Sequence, residues 1–406
     1  MSEGISISLV GCGSRGRTYM RIAAALGYEI AAYADPKEDA REVMRQIVGD
    51  GAKAFASSEE LFAQPRLSRV AAICTQDAQH FGHATSALEA GYDILLEKPA
   101  ACTSEEVEKL AALAKEKDRR IILCFVLRYT PFFGALKREI DKGSIGEVMT
   151  IEAHEGVGPF HNVHSFVRGH WSKTTESSPM MVAKCSHDTD ILSWFAGSAA
   201  STVASFENIS HFKPEKMPEG ATARCTDGCP HLGACAYDAH RYMGDCRNYL
   251  RMVRPDEADM TDEQILEWIK TTDWGRCAYQ CDQDTPDHQV VSVQFENGVT
   301  ASLTMTAFDT GRRIRVFGTT GMLEGAIHAD GREPWIQCRP HEGEIRDIEI
   351  EEQQTGGYQG HGGGDYGLIA ALPELLEAAD QSDFVEGHRI AFAAAKASAE
   401  GRVIAF

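Results

Sequence analysis

A glycine-rich turn close to the start of the chain constrains its fold more than any other feature. The run Ile5 to Val10, rich in β-branched residues, leads into Gly11-Cys12-Gly13-Ser14-Arg15-Gly16, and a helical pattern follows from Tyr19 to Leu26. A strand, a GxGxxG turn and a helix in this order are typical of dinucleotide binding. Gly11 permits the tight turn, Gly13 lets the backbone approach a pyrophosphate, and Gly16 lets helix and strand pack closely. The alternative is a tight turn that binds no ligand.

An acidic residue follows the next strand and indicates which dinucleotide would bind. This strand runs from Glu29 to Tyr33 and ends at Asp35, nineteen residues after Gly16. A carboxylate at that place accepts hydrogen bonds from ribose hydroxyls and repels a 2′-phosphate. The pattern therefore predicts NAD, held by the six residues of the turn and by Asp35.

The alternation of strands and helices continues to about residue 125. Strands are predicted at 70–74, 92–96 and 120–125, with helices at 83–90 and 104–116 between them. Such alternation indicates a parallel, doubly wound sheet whose ligands bind at the carboxyl ends of the strands. Four residues that follow strands at this edge are predicted to contact the cofactor: Thr75, His80, Glu97 and Lys98. From position alone, a surface lysine at a strand end remains the alternative for Lys98.

The glycine turn, the segment from Thr75 to His80 and the Glu97-Lys98-Pro99 sequence resemble the glucose–fructose oxidoreductase / inositol dehydrogenase superfamily, Gfo/Idh/MocA. The resemblance runs through essentially the whole chain. It implies an N-terminal Rossmann domain, here 1–126, and a C-terminal α/β domain, 127–406, with a large, open, mostly antiparallel sheet. It also implies that Lys98 is an active-site residue and that the protein is a homo-oligomer, a dimer or a tetramer.

A second candidate catalytic residue lies on a predicted helix from Lys184 to Phe195. His187 and Asp190 share a face of this helix. A histidine can take a hydroxyl proton while hydride leaves the same carbon, although a structural histidine would fit the pattern equally well. The family resemblance implies that His187 is the catalytic acid/base. Ala183 stands where the family usually has a substrate-binding aspartate, so the substrate pose of inositol dehydrogenases is not transferred.

The remaining substrate-binding residues are predicted around this helix and in the polar segment 160–171. Arg168 could clamp a carboxylate, sulfonate or phosphate, and Trp171 could stack on a sugar. The histidines of the segment lack HExxH spacing, which argues against a catalytic metal, and a solvated polar loop is the alternative. The full set of predicted substrate-binding residues is Tyr129, His164, Arg168, His170, Trp171, Lys184 and Asp188.

Charge and hydropathy exclude two classes of partner. The 406 residues include 60 acids and 40 bases, a formal net charge of −20, whereas a nucleic-acid binder needs a basic surface. The sequence has no apolar run of about 18 residues, so no transmembrane span is expected. The first residues do not read as a signal peptide, and a cytoplasmic protein is expected.

Six of the twelve cysteines fall in a segment at about 221–285 that reads as an insert too polar to form its own core. Their spacing suggests a structural zinc site, with disulfides or free thiols as alternatives. The proposed zinc ligands are Cys225, Cys229, Cys235 and Cys281, with the choice of the fourth ligand from the Cys277-x3-Cys281 pair left open. A last helix is expected at about 385–400.

Together these features predict an NAD-dependent oxidoreductase that takes hydride from a secondary alcohol of a sugar or cyclitol. The alternative is an NAD-dependent oxidoreductive glycosidase, which would oxidise C3, eliminate the aglycone, add water and return the hydride. Its substrate could be an anionic sugar such as a sulfoquinovoside. A non-catalytic NAD-binding regulator is a third reading, disfavoured because both Lys98 and His187 are present.

Overall fold

The first part of the chain forms a parallel sheet with helices on both faces. The structure is a computed structural model that describes residues 4–254, 260–353, 355–358, 360–378 and 384–406. The elements of this first part are β1 (Ser6–Val10), α1 (Ser14–Ala25), β2 (Glu29–Ala34), α2 (Glu38–Val48), β3 (Lys53–Phe55), α3 (Ser58–Phe62), β4 (Val70–Ile73), α4 (Asp77–Glu89), β5 (Asp93–Leu96), α5 (Ser104–Glu116) and β6 (Ile121–Leu123). The order β3-β2-β1-β4-β5-β6, with every neighbouring pair parallel, confirms the predicted doubly wound sheet.

The second part is built on a larger sheet. Its elements are α6 (Pro131–Asp141), β7 (Val148–Val157), α7 (Pro159–Asn162), α8 (Met180–Ala183), α9 (Ser186–Ala196), β8 (Ala200–Asn208), α10 (Asp262–Thr271), β9 (His288–Phe295), β10 (Thr300–Thr306), β11 (Thr310–Gly318), β12 (Gly321–Ile327), β13 (Trp335–Pro340), β14 (Arg346–Asp347), α11 (Gly364–Glu377), α12 (Phe384–Glu400) and β15 (Ile404–Ala405). The strand order is β14-β13-β12-β11-β7-β10-β9-β8-β15. Because β7 and β10 run parallel and the other neighbours antiparallel, the predicted mostly antiparallel sheet is confirmed.

Helices cover one face of the large sheet and leave the other open. Residues alternate in and out along a strand, so β9 buries Val291, Val293 and Phe295 while Val290 on the opposite face is exposed. The buried side chains join residues of α9 and α12 in one core. This packing holds α9, and with it His187, between the sheet and the nucleotide-binding half.

Helix α11 returns the chain to the nucleotide-binding half. Its buried apolar residues are Leu368, Ile369, Leu372 and Leu376. They belong to the same core as Ile7 and Leu9 of β1 and Tyr19 of α1. The loop that precedes α11 therefore lies against the edge of the parallel sheet. The division of the chain after residue 126 stays a proposal, since a segment from the far end completes this core.

The cysteine-rich insert folds around an apolar cluster of its own, contrary to the sequence-based expectation. Its described part buries Tyr242, Leu250, Ile265 and Trp268 against Phe160 of α7. These residues are spread thinly among polar ones, and they meet only because short helical turns and α10 bring them together. The apolar cluster can supply the stabilisation that the prediction assigned to a metal. Residues 255–259 of the predicted insert lie outside the described part of the chain.

Among the described residues, none of the helices combines the length and the apolar character needed to cross a bilayer.

A buried histidine connects α12 to the Lys98-Pro99-Ala100 turn. The Nε2 atom of His388 accepts a hydrogen bond from the Ala100 N–H (3.0 Å), and its Nδ1–H donates to the Phe384 carbonyl (2.9 Å). Burial lowers the pKa of His388 to about 4. Protonation would place an N–H against the Ala100 N–H, so the neutral ring is the form that fits.

We expect His388 to make the protein less stable in acid. Its contribution is complete above a pH of about 6.5, the unfolded-state pKa, and declines as pH falls toward the folded-state pKa. Between pH 7 and pH 4.5, the free energy of unfolding measured in urea should therefore fall less for His388→Met than for the wild type, by about 1–3 kcal/mol. The exposed His341, changed to methionine, is the control. Parallel curves for wild type and His388→Met would contradict the assignment.

Candidate active site

The glycine turn is shaped to receive a pyrophosphate. Gly11 has φ +96°, and a Cβ there would lie 2.5 Å from the Cys74 carbonyl oxygen; a Cβ at Gly16 would lie 2.2 Å from the Gly11 carbonyl oxygen. At Gly13, by contrast, no heavy atom lies within 4 Å of the Cβ position. The turn is thus closed on the protein side and open where phosphates would meet the N-terminus of α1, which includes Ser14.

Asp35 lies directly beside this turn. Its Oδ2 accepts a hydrogen bond from the Cys12 N–H (2.8 Å) and its Oδ1 accepts one from the Lys37 N–H (2.9 Å). The carboxylate is therefore fixed at the end of β2, where an adenosine ribose would lie beyond the pyrophosphate. The residues present fit NAD.

Arg15 and Glu97, two predicted cofactor contacts, form an ion pair with each other. Arg15 Nε donates to Glu97 Oε1 (2.6 Å), and its two terminal nitrogens donate to Asp365 (3.0 and 2.6 Å). Glu97 Oε2 also accepts from the Lys98 N–H (2.8 Å). Burial alone would raise the pKa of Glu97, but Arg15 and Lys98 outweigh it and lower the pKa. The network positions the glycine turn, Lys98 and the loop before α11 relative to one another.

His80, another predicted cofactor contact, lies between two backbone carbonyls. Its ring is buried, with Nδ1 2.6 Å from the Pro99 carbonyl oxygen and Nε2 3.1 Å from the Thr75 carbonyl oxygen. The Thr75 hydroxyl lies 3.1 Å from His83 Nδ1. Both nitrogens of His80 are engaged by carbonyls, so the residue ties together the ends of β4 and β5.

Lys98 extends from the nucleotide-binding half to the substrate half. Its Nζ donates to the carbonyl oxygen of Ala183, the last residue of α8, at 2.5 Å. Ala183 is the residue for which the resemblance implies a substrate-binding aspartate in other members, and here Lys98 contacts its backbone carbonyl. Burial lowers the pKa of Lys98, and Glu97 and Asp77 act against that shift.

His187 lies in the first turn of α9, next to this lysine. Its ring is 5% exposed and packs against Phe125, with ring centroids 5.9 Å apart. Burial, and after it the charge of Lys98, lowers the pKa of His187 well below its ordinary value. The ring is therefore neutral at pH 7 and able to accept a proton. Asp190, three residues on, forms a bidentate ion pair with Arg128 (2.7 and 2.6 Å).

Two predicted substrate-binding residues, Lys184 and Asp188, belong to a buried network of four charges. Lys184 Nζ lies 3.1 Å from Glu155 Oε1, and Arg312 Nε lies 2.9 Å from both Glu155 Oε2 and Asp188 Oδ1. Glu155 and Arg312 are direct cross-strand neighbours on β7 and β11. They were missed because only the strand register reveals the pair. Two cations and two anions balance each other beside His187.

Arg168 and His164, two of the predicted substrate-binding residues, make their hydrogen bonds to residues of the insert. Arg168 is 4% exposed; its Nε donates to the Arg276 carbonyl (2.7 Å) and its Nη2 to the Tyr237 carbonyl (2.8 Å). His164 Nδ1 lies 2.6 Å from the Tyr242 hydroxyl, and burial lowers the pKa of His164 to about 3. A guanidinium committed to two backbone carbonyls of the insert is a structural brace.

The three remaining predicted substrate-binding residues, His170, Trp171 and Tyr129, lie in different parts of the structure. His170 is exposed and packs edge-on against Trp274 of the insert, with centroids 5.4 Å apart. Trp171 Nε1 donates to Asp77 Oδ2 (3.1 Å) at the start of α4, at the junction of the two halves. Tyr129 packs against the core of the nucleotide-binding half. Trp171 thus contacts the edge of the parallel sheet that carries Lys98.

The described residues do not support the predicted zinc site. None of their groups of three or more cysteine, histidine, aspartate or glutamate side chains is placed to hold a metal ion. Cys281 directs its thiol to the Cys277 carbonyl oxygen at 3.4 Å, whereas Cys225, Cys229 and Cys235 line a cavity with Cys277. All twelve cysteines, each within the described part, are free thiols.

The fold and the site define a two-domain oxidoreductase that binds NAD. The model of the oxidoreductase family's NAD-binding Rossmann fold matches residues 5–125, and that of its C-terminal α/β domain matches residues 137–356. The chain therefore belongs to the Gfo/Idh/MocA oxidoreductase family.

Individual relatives are more distant. The protein YteT of Bacillus subtilis (strain 168) is 24% identical over 364 residues, which cover 85% of this chain and 82% of YteT. Inositol 2-dehydrogenase 1 of Saccharopolyspora erythraea is 25% identical over 197 residues, 48% of this chain and 55% of that enzyme. A crystal structure of an oxidoreductase from Agrobacterium radiobacter, in complex with NAD⁺, L-tartaric acid and magnesium, has a TM-score of 0.70 at 14% identity and covers 99% of this chain and 98% of that one.

Proposed function

We propose that the protein is an NAD-dependent dehydrogenase that takes hydride from a secondary alcohol of a sugar or cyclitol. The observation that carries the proposal is the contact of Lys98, from the ligand edge of the parallel sheet, with Ala183 at the end of α8, just before α9 begins at Ser186 and presents His187. A cation and a neutral histidine then stand next to the expected cofactor site. Inositol 2-dehydrogenase 1 among the relatives supports the substrate class.

The chemistry follows from these two side chains. NAD, when bound at the glycine turn and Asp35, supplies the hydride acceptor. His187 accepts the hydroxyl proton of the substrate because its lowered pKa keeps the ring neutral at pH 7. Lys98 donates a hydrogen bond to the same oxygen and stabilises its developing negative charge. Glu97 fixes the backbone of Lys98, so the ammonium group enters the cleft from a defined position.

Product stoichiometry tests this proposal against the glycosidase alternative. The protein would be incubated with a panel of cyclitols and free sugars and, separately, with nitrophenyl glycosides that include a sulfoquinovoside. One NADH formed per substrate consumed supports the dehydrogenase. Release of nitrophenol with catalytic NAD and no net NADH would instead establish the redox-neutral glycosidase. Turnover of neither group by a protein that binds NAD would favour the regulator.

We also propose that copies of the chain associate, as a dimer or a tetramer, through the open face of the large sheet. That face exposes Phe206 and Val290, which are cross-strand neighbours on β8 and β9, and Trp335 on β13. Exposed apolar side chains that adjoin one another are typical of an interface.

A further inference from the structure

A second histidine stands next to His187 and comes from a distant part of the chain. His361 lies in the glycine-rich loop before α11, and its ring centroid is 6.1 Å from that of His187. Its side chain is 41% exposed, whereas His187 is 5% exposed. The loop thus places an imidazole with access to solvent beside the buried one.

The loop is fitted closely to hold His361 in this place. His361 has φ 50° and ψ 40°, a left-handed conformation that is unfavourable for a residue with a side chain. A Cβ at Gly360 would lie 2.3 Å from Asp365 Oδ2, and one at Gly364 would lie 2.3 Å from the Val126 carbonyl oxygen. Non-glycine residues held in such conformations cluster at functional sites.

A buried carboxylate fixes the orientation of the His361 ring. Nδ1 lies 3.1 Å from both oxygens of Asp365, which is itself paired with Arg15. The Nδ1–H donates to the carboxylate, and Nε2 is left as the nitrogen that can accept a proton. The charged or titratable groups around His361 are Asp365, Arg15, Glu97 and His187.

We propose that His361 is a proton relay, which takes the substrate proton from His187 and passes it to water. The inference rests on the proposed function, because it concerns the fate of the proton that His187 accepts. In each oxidation, hydride leaves the carbon for NAD and the hydroxyl proton goes to His187. That proton then moves to His361 Nε2 and on to solvent, and His187 is neutral again. His361 acts through His187 and is therefore a positioning and relay residue.

Two readouts test the relay. With a substrate identified by the stoichiometry panel, His361→Gln should lower kcat about tenfold, less than the ~10²–10⁴-fold contributed by a residue that transfers a proton directly. Added imidazole should restore much of this loss by accepting the proton in place of His361. His341→Gln, at an exposed site, is the matched control. Its kcat should equal that of the wild type and should not change when imidazole is added. NAD affinity and melting temperature would establish that His361→Gln is folded.

The second readout needs no substrate. In the NAD-loaded protein, the ring signal of His187 is followed by NMR as pH is varied. His361→Gln should raise the pKa of His187, because a neighbouring imidazole that can take up a proton is gone. Unchanged turnover and an unchanged titration of His187 would overturn the relay. So would a loss of turnover that imidazole does not restore. If none of the alcohols tested leads the wild-type protein to reduce NAD, the proposed function is refuted. The NMR titration would still decide whether the two rings are coupled.

Discussion

Replacing His187 by glutamine should lower kcat with the protein's alcohol substrate by ~10²–10⁴-fold, the contribution of a positioned general base. The affinity for NAD should stay the same, because the glycine turn and Asp35 lie on β1, α1 and β2 while His187 lies on α9. Glutamine keeps a polar side chain of comparable size but cannot accept the proton. The experiment measures kcat by NADH absorbance and NAD affinity by calorimetry.

The pH profile of the wild type sharpens this prediction. Protonation of His187 removes the base, so kcat/KM falls as pH drops through its pKa. Burial and the charge of Lys98 place that pKa well below its ordinary value, and the acid limb should therefore lie below a pH of about 6.5. His341→Gln, at an exposed site, should reproduce the wild-type profile. If His187→Gln retains normal turnover, or if the wild-type limb lies above pH 6.5, His187 is not the base.

The features that sequence predicted well are those whose meaning is local. The glycine turn and its strand and helix lie within some twenty residues, and Asp35 follows on the next strand. For such residues the fold adds coordinates to a role that the pattern already indicates. Lys98 follows the end of β5, but its position alone left a surface lysine as the alternative, and the active-site role was implied by the family resemblance.

The contacts that sequence did not predict join distant segments of the chain. Arg168 was read as a ligand for anionic substrates because it is a cation in a polar segment, yet its partners are carbonyls at residues 237 and 276. His361 lies in the loop before α11, and α11 must pack on α1 before that loop reaches His187. Neither relation has a signal in the spacing of the residues.

The Glu155–Arg312 pair shows how strand register creates such a relation. The two residues face each other only because β11 is antiparallel to β7, and Asp188 and Lys184 then complete the network from the start of α9 and the residue after α8. Burial alone would raise the pKa of Glu155, but Arg312 and Lys184 outweigh it and lower the pKa. Arg312 touches both carboxylates, so it is the residue on which the balance of charge depends.

Arg312→Leu should therefore destabilise the protein by ~3–5 kcal/mol, the usual cost of removing one partner from a buried ion pair. Two carboxylates would be left with Lys184 as their cation. The loss of stability is measured by urea denaturation, with the fluorescence of the substrate half as the signal. The neighbouring Arg313 offers a matched control: its side chain is 59% exposed and pairs with Asp309, so Arg313→Leu should cost at most ~1 kcal/mol.

The pH dependence of this loss identifies its cause. Burial already raises the pKa of Asp188, with Arg312 acting against that shift. Without Arg312, the pKa of Asp188 should rise further and that of Glu155 should also exceed its unfolded value, so the folded state takes up protons as the solution is acidified. The destabilisation of Arg312→Leu relative to wild type should then be largest at pH 7–8 and shrink as pH falls toward 5. A loss that is constant across this range would indicate that Arg312 stabilises the protein by packing alone. A triple variant in which Glu155 and Asp188 are also changed to leucine should recover part of the lost stability, because it removes the unpaired buried charges together with their partner.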